Sequence, residues 1–484
     1  VVLFLCAGIL TPKEMLEGFS NKGMITVALL FLVSEGIRQS GTLGQVIKKL
    51  LPQGKTTVFK AQLRILPSVA FISAFLNNTP VVVIFAPIIK HWAKSVNLPA
   101  TKFLIPLSYV TILGGICTLI GTSTNLVVHG MILEAGFEGF SMFELGKVGI
   151  FIAIAGIIYI FLFSKRLLPD ARPDTAVPDE EVEEGEKLHR VEAVLGARFP
   201  GINKKLKDFN FQRHYGAEVK EIKTRNGQRF VSNLEEVVLH EGDTLVVMAD
   251  DTFIPTWGES SVFVLLTNGN EPDTTGKKKR WFALLLLVLM IVGATVGELP
   301  ITKEMFPDIK LDMFFFVSIT TIIMAWTNLF PARKYTKYIS WDILITIACA
   351  FAISKAMVNS GVADSVAKFI IGLSDDYGPH VLLAMVFIIT NLFTELITNN
   401  AAAALAFPLA LSISAQLGVS PTPFFVVICM AASASFSTPI GYQTNLIVQG
   451  IGNYKFTDFV RIGLPLNIIT FLISIILIPL IWNF

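Results

Sequence analysis

Four short clusters of uncharged polar side chains lie inside apolar stretches of this sequence and are its strongest candidates for ligand binding. Residues 77–79 read NNT and residues 398–400 read TNN, while residues 121–123 (GTS) and 441–443 (GYQ) each begin with a glycine. A helix interrupted at such a glycine leaves carbonyl groups that suit a small cation and N–H groups that suit an anion. Because the clusters contain no charged residue, we predict that a bound cation offsets the charge of an anionic substrate.

The clusters recur in the two halves of the chain at almost the same spacing. Residues 118–130 (TLIGTSTNLVVHG) and 438–450 (TPIGYQTNLIVQG) are identical at 8 of 13 positions with an offset of 320, and the cluster 398–400 follows 77–79 at an offset of 321. Unrelated segments would share about one identity. We infer that the chain contains two copies of one ancestral unit.

The composition places these clusters in a membrane. Hydrophobic residues make up 53% and charged residues 16% of the 484 positions, whereas soluble proteins carry about 25% charged residues. Residues 170–276 are the exception, since they hold 21 of the 37 acidic residues and 12 of the 39 basic ones. We therefore predict two membrane halves separated by one soluble, acidic insert, whose charge argues against nucleic-acid binding.

Two apolar stretches, residues 65–94 and 379–415, are interrupted by polar clusters and are predicted to form re-entrant hairpins. A polar tip at membrane depth persists only where protein or water satisfies its backbone. Basic residues flank the first hairpin and both edges of the insert, including residues 277–280, whereas acidic residues precede the second hairpin. By the positive-inside rule, the insert is cytoplasmic, the first hairpin opens to the cytoplasm and the second opens outward.

The predicted fold is an all-α polytopic membrane protein with inverted repeats and two opposed re-entrant hairpins, in which a small α+β cytoplasmic domain separates the halves. The predicted units are an N-terminal membrane half (1–167), a linker (168–187), the inserted domain (188–270), a basic linker (271–279) and a C-terminal membrane half (280–484). The chain begins inside an apolar run too short to cross a bilayer, so we expect the first span to start before residue 1. The protein is expected in the cell membrane as a multi-pass protein.

At its polar motifs the sequence resembles the divalent anion/sodium symporter (DASS) family. The motifs are GFSN (18–21), LNNT (76–79), GTSTNL (121–126), ITNNAAAAL (397–405) and GYQTNL (441–446). The family transports sulfate or di- and tricarboxylates. The resemblance implies an elevator-type mechanism, in which a transport domain with both hairpins moves against a scaffold domain that forms a homodimer. It also implies sodium ions at two sites and no organic cofactor.

The same resemblance implies which residues bind the ions and the substrate. One sodium site would use Ser73, Asn77, Asn78 and the backbone near Gly121, and the other would use Thr394, Thr398, Asn399 and the backbone near Gly441. The substrate would lie between the hairpin tips, in contact with Asn78, Thr79, Thr122, Ser123, Asn399, Asn400, Tyr442 and Gln443. The bulk of Tyr442 favours a compact anion.

The insert is most similar to the TrkA C-terminal (RCK-C) domain found in one branch of the family, through residues 192–222 and 239–250. Its pattern predicts strands near 191–195, 219–222 and 244–248, with a hairpin at Asn226-Gly227. One copy of the domain is recognisable, where this branch usually carries two, and the acidic stretch 179–186 is interpreted as a linker. We expect a regulatory domain that binds a ligand or dimerises; a purely structural cap is the alternative.

Glu395 is a carboxylate within the second hairpin, so it is a candidate for ion coupling. The alternative is a structural ion pair or hydrogen bond, with Lys355 as the partner. We found no pattern of an enzyme active site in either half.

The function predicted from the sequence is sodium-coupled symport of sulfate or a similar small divalent anion, regulated through the insert. A dicarboxylate symporter is the nearest alternative. A sodium/proton antiporter, with Glu395 as proton carrier, and a non-transporting anion sensor remain open as further alternatives.

Overall fold

A computed structural model describes most of the chain. The described residues are 1–170, 189–196, 198–224, 228–250, 253, 257, 262–267, 277–306, 309–373 and 378–484. Within them, seven helices are long and apolar enough to cross a membrane. The predicted class, a polytopic helical membrane protein interrupted by a small inserted domain, is confirmed.

The N-terminal half contains nine helices among its described residues. They are α1 (Val2–Cys6), α2 (Pro12–Glu17), α3 (Lys22–Gln39), α4 (Thr42–Leu50), α5 (Val58–Ser73), α6 (Asn78–Ser95), α7 (Leu104–Gly115), α8 (Ser123–Glu134) and α9 (Gly146–Leu167). The polar cluster 77–79 lies where α5 gives way to α6. The cluster 121–123 lies where α7 and α8 are separated by a non-helical segment, as its glycine predicts.

The inserted domain is built around an antiparallel sheet. Among its described residues the strands are β1 (His189–Leu195), β2 (Glu218–Lys223), β3 (Arg229–Phe230), β4 (Thr244–Ala249) and β5 (Phe263–Thr267), and a short helix, α10 (Phe211–Tyr215), precedes β2. The strand order is β3-β2-β4-β1-β5. The three predicted strands are therefore present. The predicted hairpin at Asn226-Gly227 and the acidic stretch 179–186 lie outside the described residues.

The C-terminal half is also helical among its described residues. Its helices are α11 (Lys277–Gly297), α12 (Pro300–Met305), α13 (Met313–Trp326), α14 (Tyr335–Tyr338), α15 (Trp341–Asn359), α16 (Val362–Leu373), α17 (Gly378–Leu396), α18 (Asn399–Leu417), α19 (Thr422–Ser433), α20 (Gln443–Gly452) and α21 (Phe456–Ile481). One boundary differs from the prediction: α11 begins at Lys277, so the last part of the predicted linker 271–279 is helical. The basic side chains there begin a membrane helix rather than lie in a loop.

The two broken helices form the centre of the membrane part. Every residue of α7 is buried, and so is every residue of α19 after Thr422. The long helix α9 lies at the periphery, where Ile150, Ile154 and Ile158 each expose more than half of the side chain. Because these residues recur every fourth position, they form one apolar face that suits contact with lipid.

Glycine lets α7 approach the first hairpin very closely. A Cβ atom built on Gly114 would lie 2.1 Å from the carbonyl oxygen of Ala70 in α5. Real Cβ atoms do not approach backbone atoms this closely, so a side chain here would force two packed helices apart. By contrast, a Cβ atom on Gly372 in α16 meets nothing within 4 Å.

We predict that Gly114→Ala destabilises the protein by about 1–3 kcal/mol through overpacking. The matched control, Gly372→Ala, should be neutral or stabilise by up to about 1 kcal/mol, because alanine is the better helix former. Thermal unfolding of the purified variants in detergent measures both effects. Equal melting temperatures for the two variants would contradict the close approach of α5 and α7.

Candidate functional site

Both hairpin tips are held by the same contact. The hydroxyl of Ser73, at the end of α5, lies 2.8 Å from the side-chain amide of Asn78, which begins α6. The hydroxyl of Thr394, near the end of α17, lies 2.8 Å from the side-chain amide of Asn399, where α18 begins. In each case a hydroxyl on the first arm contacts an amide five residues later, so the tip amides are fixed from within their own hairpins.

An asparagine closes the break in each interrupted helix. Asn125 in α8 donates from Nδ2 to the carbonyl of Thr118 at 2.9 Å. Asn445 in α20 makes the same bond to Thr438 at 3.1 Å and a second to Ser435 at 2.8 Å. Carbonyl groups freed by the breaks thus receive donors without water, as the membrane interior requires.

The glycines of the two breaks are needed because the backbone comes close to other atoms. A Cβ atom on Gly121 would lie 2.4 Å from the carbonyl oxygen of Gly115, and one on Gly441 would lie 2.3 Å from the carbonyl oxygen of Thr394. Neither glycine has a positive φ angle. Their lack of a side chain, rather than an unusual backbone conformation, explains why glycine precedes both polar clusters.

Each hairpin tip contacts the broken helix of the opposite half. Thr79 in the first hairpin donates to Gln443 Oε1 at 3.3 Å. Asn400 in the second hairpin accepts through Oδ1 from Ser123 Oγ at 3.3 Å and from Thr124 Oγ1 at 3.2 Å. The four clusters, which are far apart in sequence, therefore meet at one place in the fold.

Tyr442 joins the two tips at the centre of this place. Its hydroxyl contacts the Asn78 amide and lies 3.2 Å from Thr122 Oγ1, and the Asn399 side chain also interacts with it. The tyrosine is buried, with 9% of its surface exposed. The room between the two tips is thus limited by one phenol ring.

The hydrogen-bond network assigns the orientation of the Asn78 amide. With Nδ2 directed at three oxygens, it donates to Ser73 Oγ at 2.8 Å, Thr111 O at 3.1 Å and Gly121 O at 3.3 Å, while Oδ1 accepts from the Tyr442 hydroxyl. Three oxygen atoms therefore surround Asn78 Nδ2 next to the first tip. A hard cation prefers ligands of this kind.

Two further predicted site residues immediately precede the second hairpin arms. Asn77, at the position before α6, lines a small cavity with Leu76, Ser34 and Ser123. Thr398, which precedes α18, is exposed. Both occupy the N-cap position of a second hairpin arm, without a side-chain capping bond.

Sequence reasoning missed Thr111, Thr124, Asn125 and Asn445 as functional residues. Thr111 contributes its backbone oxygen, and every residue type has one, so the sequence could not indicate this role. The dipeptide TN is identical in both repeated segments, as Thr124-Asn125 and as Thr444-Asn445. This identity is a signal that could have identified the two asparagines.

The proposed pairing of Glu395 with Lys355 is wrong. Glu395 Oε1 accepts from the backbone N–H of Ser437 at 2.9 Å and from Asn467 Nδ2 at 2.8 Å. Lys355 interacts instead with Glu14 and Glu134. The spacing along the chain could not reveal this, because Asn467 comes from the distant helix α21.

The inserted domain is attached directly to the helices of the site. Lys90 in α6 pairs with both carboxylate oxygens of Glu192 in β1 at 2.9 Å, and Lys223 contacts the same carboxylate at 3.3 Å. Burial alone would raise the pKa of Glu192, but the charges of Lys90 and Lys223 outweigh it and lower the pKa to about 2. The pairing therefore stabilises the fold above the usual pKa of 4.5 and is lost only as the pH falls towards 2.

A second contact of the insert is made with α20. A Cβ atom on Gly450 would lie 2.7 Å from Thr244 Oγ1, and one on Gly242 would lie 2.7 Å from Leu446 Cδ1. Val194 of β1 is packed within the hydrophobic core of the membrane part. The insert thus contacts the C-terminal half of α6 and both ends of α20, the two helices that begin at Asn78 and Gln443.

Comparison with known proteins identifies the class. The profile of the citrate transporter family matches residues 1–414 and 309–483. An uncharacterised transporter of Synechocystis sp. is 30% identical to the chain over 100% of its length and 92% of the relative's. Sodium/sulfate cotransporter 2 of Chlamydomonas reinhardtii is 31% identical over 58% of the chain and 31% of the relative. Solute carrier family 13 member 4 of Homo sapiens is 25% identical over 32% of the chain and 24% of the relative.

The fold and these matches define a multi-pass membrane transporter. The chain belongs to the citrate transporter family, and the resemblance to divalent anion/sodium symporters is confirmed by its relatives. The assignment of the insert as an RCK-C domain stays a prediction.

We predict that Asn125→Ala and Asn445→Ala each lower the free energy of unfolding by about 1–3 kcal/mol, because each leaves a buried carbonyl without a donor. The control is Asn359→Ala, which removes an amide-to-carbonyl bond of 3.0 Å to Ile9 at an exposed position. Asn359→Ala should lower the free energy of unfolding by less, because water can replace the lost donor at an exposed position. Thermal unfolding in detergent compares the stability of the three variants. An equal loss of stability in all three would contradict the stabilising role of Asn125 and Asn445.

Proposed function

We propose that this transporter is a sodium-coupled symporter of sulfate or a similar small divalent anion. The observation that carries the proposal is the meeting of both hairpin tips and both broken helices around the Tyr442 hydroxyl. The groups gathered there are neutral. A divalent anion held by them would need its charge offset by bound cations, which a symported ion supplies.

The first sodium ion is proposed to bind near Ser73, Asn77, Asn78 and Gly121. Support comes from the oxygens of Ser73, Thr111 and Gly121 that surround the Asn78 amide. Rotation of that amide would turn Oδ1 towards these three oxygens and add a fourth potential oxygen ligand. The second ion is proposed to bind near Thr394, Thr398, Asn399 and Gly441, where the Thr394–Asn399 contact repeats the first one.

The anion is proposed to bind between the tips, in contact with the eight residues expected from the resemblance. Ser123 and Gln443 begin α8 and α20, and a helix N-terminus offers N–H groups and a partial positive charge to an anion. The Tyr442 ring limits the space available. A limited space favours the compact sulfate ion over a larger dicarboxylate. Relatives named as sodium/sulfate cotransporters also support sulfate as the substrate.

We further propose an elevator-type mechanism within a homodimer. The hairpin arm α6 packs on α20 and the arm α18 packs on α8, so both hairpins and both broken helices adjoin, while α3, α11 and α13 pack on one another. The first group would form the moving transport domain and the second part of the scaffold. The basic flanks of the insert support its placement on the cytoplasmic side.

Regulation through the insert is proposed to act by restraint. The insert contacts α6 and α20 of the proposed transport domain, and it also contacts α15 through an ion pair between Arg198 and Asp342. A domain bonded to α6, α20 and α15 would oppose movement of these helices relative to one another. A ligand that changed the shape of the insert could then alter the rate of transport.

We predict that an imposed sodium gradient drives sulfate uptake into proteoliposomes that contain the full chain. Asn78→Ala and Asn399→Ala should abolish it, because each removes an amide of the central network. Asn359→Ala, at the exposed end of α15, is the control and should transport normally. The measurement is uptake of radiolabelled sulfate with and without sodium.

Other outcomes of this assay would favour the alternatives. Succinate uptake that excess sulfate does not inhibit would indicate a dicarboxylate symporter. Sodium flux that is driven by a proton gradient without sulfate would indicate an antiporter. Binding of sulfate without any uptake would indicate an anion sensor.

We also predict that Lys90→Met raises the maximal rate of sulfate uptake by about 5-fold, a change of about 1 kcal/mol in the barrier to movement. The control is Lys207→Met, which breaks an exposed pair with Glu236 inside the insert and should leave the rate unchanged. Initial rates at saturating sodium and sulfate measure the effect. A lower or unchanged rate in Lys90→Met would contradict the restraint.

A further inference from the structure

Two consecutive residues of α7 bond to the second broken helix on both sides of its polar cluster. Ser108 Oγ donates to Asn445 Oδ1 at 2.7 Å and lies 2.9 Å from Thr444 Oγ1, both in the first turn of α20. The Tyr109 hydroxyl donates to the backbone carbonyl of Phe436, which lies in the non-helical segment between α19 and α20. A helix of the first half therefore holds the break of the second half at two points.

The first break lacks an equivalent of this contact among the described residues. The offset of 320 that relates the two repeats places Ile428 at the position equivalent to Ser108 and a cysteine at the position equivalent to Tyr109. The isoleucine side chain has no donor, and Asn125 Oδ1 of the first break is buried without a hydrogen-bond partner. A helix break therefore forms without such hydroxyls, and their presence in α7 has another explanation.

The Ser108 hydroxyl helps to fix the orientation of the Asn445 amide. Nδ2 of this amide donates to the carbonyl groups of Ser435 at 2.8 Å and Thr438 at 3.1 Å, while Oδ1 accepts from Ser108. Ser108 and Asn445 are both fully buried, so water does not replace the hydroxyl. Without it, Oδ1 has no donor, and the amide loses one of the three bonds that fix its orientation.

Asn445 is joined to the proposed anion site through the backbone. Its N–H donates to the carbonyl of Tyr442 at 3.0 Å. The Tyr442 hydroxyl lies 3.2 Å from Thr122 Oγ1, and Gln443 Oε1 accepts from Thr79 Oγ1 at 3.3 Å. The position of Tyr442 and Gln443 relative to the first half therefore depends on the geometry of the break that α7 holds.

We propose that Ser108 and Tyr109 are positioning residues of the anion site. Their hydrogen bonds end outside the cluster 441–443, so they act on it through Asn445 and Phe436. By holding both ends of this segment in place, they remove conformational freedom that anion binding would otherwise have to remove. The inference rests on the proposed symport of a divalent anion, and it assigns part of the anion affinity to a helix of the opposite half.

The test measures sulfate uptake by the full-length protein in proteoliposomes at saturating sodium. Ser108→Ala should raise the sulfate concentration for half-maximal uptake by about 10-fold, because one hydrogen bond that holds the site in its binding geometry is lost. The maximal rate should stay unchanged, since the contact is the same throughout the transport cycle. Tyr109→Phe keeps the ring and removes the hydroxyl, and it should have the same effect. It supplies the test if Ser108→Ala does not fold.

The matched control is Ile428→Val, at the position of α19 equivalent to Ser108. This substitution removes one buried methylene and should lower the melting temperature, but it should leave the half-saturating sulfate concentration unchanged. The positioning role would be overturned by an unchanged half-saturating concentration in both α7 variants, by a fall in their maximal rate alone, or by the same rise in Ile428→Val. Sodium-driven sulfate uptake by the wild type would stand in each of these cases. Its absence from the wild type would refute the proposed symport, and the positioning role with it.

Discussion

The carbonyl groups released where two buried helices break must find donors inside the protein, because the membrane interior offers no water to them. Asn125 and Asn445 meet this requirement at equivalent positions. Thr118 and Thr438 add to it, since the hydroxyl of each accepts from a glycine N–H of its own break and donates to a hairpin carbonyl. The breaks, the hairpins and the polar clusters are therefore one connected structure.

The two halves have similar contacts at equivalent positions, so the positions at which they differ are of particular interest. Ser73 with Asn78 matches Thr394 with Asn399, and these contacts support equivalent cation sites. Tyr442 replaces what is Thr122 in the other half, so a single ring lies between two similar tips. Glu395 replaces Ala74 and brings a charge to one side only. The matched contacts belong to a framework common to both halves, and the two replacements change the size of one central side chain and the charge on one side.

The insert is packed against the membrane part, and the helices that it contacts begin at the candidate site. Lys90 lies towards the end of α6, whose first residue is Asn78. Leu446 and Gly450 lie on α20, whose first residue is Gln443. These two helices connect the insert to polar side chains of the central network.

Local patterns in the sequence were sufficient for the fold class, the inserted domain, the helix breaks at Gly121 and Gly441 and the repeated motifs. Hydropathy, charge bias and self-similarity are properties of short segments, so they can be seen before folding. Tertiary structure alone decided that Thr79 meets Gln443, that Tyr442 lies between both tips and that Glu395 contacts Asn467 rather than Lys355. These contacts join residues up to several hundred positions apart. They depend on how complete helices pack, and the pattern of any one segment does not specify that packing.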